Sequence, residues 1–74
     1  MNERNPGELL RNHRLARRLS LQELAEQVGA TRQAVSKWEL GTAQPSTHRL
    51  RSLFDALRLT NAQRRELVAA FGGA

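Results

Sequence analysis

Leu21, Leu24, Ala25 and Val28 recur at intervals of three and four residues, and further along so do Leu50, Leu53, Phe54 and Leu57. That spacing places each set on one face of an α-helix, with polar residues filling the opposite face. Leu67, Val68 and Phe71 make a third, shorter stripe, expected in the core, with a dimer seam as the alternative for a few of them. No stretch alternates as a strand does, and no hairpin turn stands between apolar runs. Start and stop signals bound the helices. Asn5-Pro6-Gly7-Glu8 offers an N-cap, a proline at the first helical position and an acid at the third, so a first helix should run from about Pro6 to Arg17 or Arg18. Ser20 and Glu23 form a capping box, with Leu19 and Leu24 as the hydrophobic staple around it. Gly29 ends the second helix and Thr31 caps a third. Gly41 and Pro45 punctuate "GTAQPS", Ser46 caps a fourth helix, and Thr60 with Gln63 opens a fifth that stops before Gly72-Gly73. The pattern predicts an all-α fold, a compact bundle of five short helices.

Between Gly29 and Thr31 the chain has room only for a very short turn, so the second and third helices must cross steeply. At about 100° per residue, Arg32, Gln33, Ser36, Lys37 and Leu40 fall within an arc of roughly 140° on the third helix. Thr31, Ala34, Val35 and Trp38 take the other side, which assigns Trp38, the only tryptophan, to the core. One face of this helix packs; the other is left with long hydrogen-bonding side chains.

At 74 residues the chain suffices for one domain, expected over residues 6–71 with a flexible start at 1–5 and a short tail at 72–74. Without cysteine, neither disulfides nor thiolate metal sites brace it, so stability must come from patterned helices. The net charge is +5, from twelve Lys and Arg against seven Asp and Glu, with a pI near 11.6. That balance fits a partner polyanion such as nucleic acid, and equally a soluble domain rich in arginine. The charge is spread through both halves rather than gathered in a basic tail. No apolar run is long enough for a membrane span, and "MNERNPGE" lacks the core of a signal peptide, so a cytoplasmic protein is expected. His13 and His48 have no companion ligand at metal spacing. Asp55, Glu66 and the Arg64-Arg65 pair read as solvated helix faces. No nucleophile with its base, paired carboxylates or phosphate loop is present, so neither an enzyme nor a cofactor is expected.

With these residues placed, residues 21–40 resemble the helix-turn-helix of the phage-repressor family, the Xre/Cro type. Leu24, Ala25 and Val28 match in its first helix, Gly29 at the turn, and Val35 and Trp38 in its second; "SLQELA" and "WELG" match its start and end. The resemblance extends from about Gly7 to Leu57 and implies a lambda-repressor-like DNA-binding domain. It implies that the helix from Thr31 to Leu40 enters the major groove, with Arg32, Gln33, Ser36 and Lys37 facing bases. Ser20 and Thr31, at helix N-termini, and Thr42, Gln44 and Arg49 around the following loop are the expected phosphate contacts. Arg14 and Glu39 match a pair that links the first and third helices in relatives. It would either orient the DNA-contacting surface or stand as a partly exposed bridge of small value.

Four positions depart from the family pattern. Arg18 stands where relatives often have glycine, so either it adopts a left-handed conformation or the turn differs. Leu21 replaces a glutamine that commonly meets phosphate, and "TAQ" is less basic than in many relatives. Leu40 either touches a thymine methyl or staples the helix end, the second being expected. The implied function is sequence-specific double-stranded DNA binding by a transcription regulator of the repressor type, two copies meeting a palindromic operator. A coactivator-like protein-interaction module and an antitoxin that represses its own operon are the alternatives. The chain is also compatible with being the DNA-binding portion of a longer regulator.

Overall fold

The computed structural model describes residues 5–71, and each of the five helices among them opens on a side-chain cap. Helix α1 spans Pro6–Ala16, and the Asn5 carboxamide oxygen accepts from the Gly7 and Glu8 amides at 2.9 and 3.3 Å. Helix α2, Leu21–Val28, begins with the reciprocal Ser20–Glu23 box. Helix α3, Arg32–Leu40, is capped by Thr31, whose hydroxyl accepts from the Ala34 amide at 3.0 Å. Helix α4, Thr47–Leu57, is capped by Ser46, and α5, Asn61–Ala70, by the Thr60–Gln63 box. Each such cap is worth about 1 kcal/mol, which matters in helices this short. The flexible start expected over residues 1–5 meets the described residues only at Asn5, which caps α1; its remainder and the tail at 72–74 lie outside them.

Four of the five helix ends follow one recipe, the end of α5 at Phe71 being the exception. Arg18, Gly29, Gly41 and Arg58 all have positive φ, at 57°, 71°, 84° and 53°. After each, the next amide closes back onto the carbonyl five residues earlier: Leu19 to Arg14, Ala30 to Ala25, Thr42 to Lys37 and Leu59 to Phe54. Arg18 therefore keeps the turn and takes the left-handed conformation itself, at a cost of about 1–2 kcal/mol relative to the right-handed one. Helix α1 consequently ends at Ala16, short of the expected Arg17 or Arg18.

The core gathers Leu10 from α1, Leu24, Ala25 and Val28 from α2, Val35 and Trp38 from α3, Leu53 and Leu57 from α4, then Leu59, Leu67 and Phe71. Helix α3 packs on both α1 and α2, α4 packs on α2, and α5 closes against α1. Two apolar expectations fail. Val68 is 41% exposed because it stands one position off the face that carries Leu67 and Phe71. Leu40 is 72% exposed and staples nothing.

Several arginines help to hold the fold together. Arg17 donates from Nε to the Leu57 carbonyl at 3.0 Å, across the end of α4. Arg49 donates from Nη1 to the Val28 carbonyl at 3.0 Å, tying α4 to the end of α2. Arg64, expected on a solvated face, is half-buried instead; it donates to the Leu59 carbonyl and lies 5.6 Å from the Phe54 ring centroid. For Arg17 and Arg49, a cation placed on orphaned helix-end carbonyls is favoured by both hydrogen bonding and the helix dipole. These guanidiniums keep their charge, while part of their donor capacity is used within the fold. Glu66 is half-buried too, whereas Asp55 and Arg65 are exposed.

Candidate nucleic-acid interface

A two-residue turn, Gly29-Ala30, and the Thr31 cap deliver α3 to the surface with its orientation set by what it buries. Val35 is fully buried and Trp38 is 5% exposed, so the opposite face must point outward. On that face Arg32, Gln33 and Lys37 are exposed and Ser36 is half-buried. The side chains of Arg32, Gln33 and Lys37 form no hydrogen bond or ion pair with another described residue. Together with Leu21 and Leu40 these four residues line one open groove along the helix. The first turn of α3 carries no acid, so nothing there opposes an approaching anion.

The orientation of α3 is held from behind by Arg14 and Glu39. Arg14 Nε donates to Glu39 Oε2 at 2.7 Å and Nη2 to Oε1 at 3.0 Å, while Nη1 reaches the Leu19 carbonyl at 2.8 Å. The two side chains are only 10% and 7% exposed. This is a forked, nearly dry pair joining α1, α3 and the approach to α2, not a partly exposed surface bridge. Alongside it, Gly7 brings the α1 backbone onto α3: a Cβ built there would stand 2.1 Å from the Glu39 carbonyl oxygen and 2.7 Å from that of Trp38.

The expected phosphate contacts are less uniform. Ser20, Thr31, Thr42 and Gln44 are exposed. The Ser20 and Thr31 hydroxyl oxygens accept cap bonds but keep their O–H free to donate outward. The Thr42 hydroxyl already points at the Lys37 carbonyl, 3.4 Å away. Arg49 is half-buried, and its bond to Val28 gives it a structural task that sequence reading did not assign. Gly7 was missed as well. Its signal was available: glycine within a helix costs about 0.5–1 kcal/mol relative to alanine and so calls for a packing reason.

Among the described residues no group of His, Asp or Glu is arranged to hold a metal, and no helix is long and apolar enough to cross a membrane. His13 Nε2 is buried without a hydrogen-bond partner, and no metal-ligating cluster includes it.

Two short helices, a glycine turn and an outward polar face on the second helix define a helix-turn-helix unit. The chain matches the helix-turn-helix domain family over residues 7–67 and belongs to that family. It is thus a domain of the kind with which regulators bind DNA. No curated protein and no solved structure matches it.

Proposed function

We propose that this domain is the sequence-reading part of a transcription regulator of the repressor type, acting on double-stranded DNA. The observation that carries the reading is the outward face of α3: three long donors or acceptors, none committed to another described residue, on a helix whose other side is locked into the core. B-DNA's major groove admits such a helix and distinguishes all four base pairs there. Arg32 and Lys37 suit guanine O6 and N7, Gln33 suits adenine N6 and N7, and Ser36 serves either. Ser20, Thr31, Thr42 and Gln44 supply positioning contacts to phosphate, with Arg49 reinforcing the turn they flank. The repressor assignment rests on the resemblance carried by residues 21–40. A single domain of this size buries little surface, so two copies on a two-fold operator are expected, with half-sites one helical turn apart.

Selection of bound duplexes from a random pool, followed by affinity against salt, tests this. An enriched palindromic motif with a steep salt slope is the expected result. Gln33→Ala and Lys37→Ala should each relax preference at one or two base pairs, at about 1–3 kcal/mol of discrimination, while melting like the parent. Unchanged preference in both variants assigns reading to another face. Failure to bind any duplex moves the domain to protein interaction.

A further inference from the structure

Leu40 lies near the middle of the polar arc of α3, between the phases of Ser36 and Lys37, yet it is 72% exposed. Leu21, at the start of α2, stands beside it. Two adjoining grooves share the trio Leu21, Ser36 and Leu40: one continues toward Arg32, Gln33 and Lys37, the other toward Glu8, Arg11 and Glu39. The face that carries the unpartnered polar groups thus has an apolar notch at its C-terminal end. A leucine so exposed adds little to the core, and a partner that covers this end of the face must desolvate it.

We infer that Leu40, with Leu21 as its wall, reads a pyrimidine 5-methyl group in the major groove. The inference rests on the DNA reading above and specifies it. Among the groups that base edges present in the major groove, the 5-methyl is the one apolar element; the rest are hydrogen-bond donors and acceptors. A leucine pressed against the latter would strip them of water and return no hydrogen bond. Against a methyl it gains what two apolar groups gain by leaving water together. Leu40 is eight residues beyond Arg32, or about 12 Å along the axis, so the methyl it meets belongs to a different base step from the one under Arg32. Leu21 fits the same account. Half-buried at the start of α2, it lines both grooves with Leu40 and makes the notch continuous.

The test uses the full chain and its selected duplex, with deoxyuridine replacing thymidine one position at a time. At one position or more per half-site the parent should lose about fourfold in affinity, the ratio equivalent to one methyl group withdrawn from water. In Leu40→Ala, whose thermal melting should match the parent's because Leu40 is exposed, that penalty should fall to near unity. Replacing cytosine with 5-methylcytosine forms the second arm. A gain in affinity there, abolished by Leu40→Ala, identifies methylated cytosine rather than thymine as the source of the methyl. A selected duplex indifferent to every 5-methyl group, or equally sensitive in both proteins, overturns the inference and leaves the DNA reading standing. A pool that yields no motif overturns both.

Discussion

Gly7→Ala should lower stability by about 3 kcal/mol, the upper part of the range for forcing an atom into a packed interior. Measured by thermal unfolding, that corresponds to a fall in Tm of roughly 12–24 °C for a domain of this length. The sign is what makes the measurement informative. At an unobstructed helical position the same change gains about 0.5–1 kcal/mol, because alanine is the better helix former. At Gly7 the added methyl would meet the backbone of Glu39 and Trp38, which cannot swing aside as a side chain end would. Helix α1 must then lift away from α3, loosening the contact that backs the outward face. A Tm equal to or above the parent's would mean that α1 and α3 do not approach as described.

Glu39→Ala should cost about 3–5 kcal/mol, because it leaves the Arg14 guanidinium buried with only the Leu19 carbonyl to answer it. The double variant Arg14→Met/Glu39→Met should recover most of that loss, since an apolar pair avoids the desolvation both charges suffer. Urea unfolding of the parent, Arg14→Met, Glu39→Met and the double closes the cycle and separates coupling from truncation. The parent's stability should also change little between low and moderate salt through this pair, because water and ions hardly reach it. A Glu39→Ala variant within about 1 kcal/mol of the parent would return the pair to the value of a surface bridge. The two predictions converge on one residue: Glu39 offers its carbonyl to the close approach of Gly7 and its carboxylate to Arg14. Together they set where α3 points.

Much of this molecule follows from local rules. Ser20 with Glu23, Thr31, Ser46, and Thr60 with Gln63 cap the helices they were expected to cap, because capping is decided by a side chain and amides two or three residues away. The stripe Leu24, Ala25 and Val28 and the pair Val35 and Trp38 are buried, because periodicity reports which face a helix must hide. The polar arc of α3 follows from the same geometry and is as legible.

Other features were settled only by packing. Arg18 takes a conformation that glycine usually holds, and nothing local marks it. Val68 and Leu40 are as apolar as their neighbours, and only the position of surrounding helices leaves them exposed. Arg17, Arg49 and Arg64 count toward net charge in the sequence, yet the fold spends each on a carbonyl far from it in the chain or at a helix end. Gly7 against Glu39 and the depth of the Arg14–Glu39 pair are likewise contacts between α1 and α3, which local propensity does not encode. The sequence by itself determined five helices, their caps and the face each would bury, since these depend on residues within a turn or two of one another. Tertiary structure alone decided which arginines are tied into the fold, which leucine remains in water and how α3 is aimed, since those depend on backbones that meet only when distant helices pack.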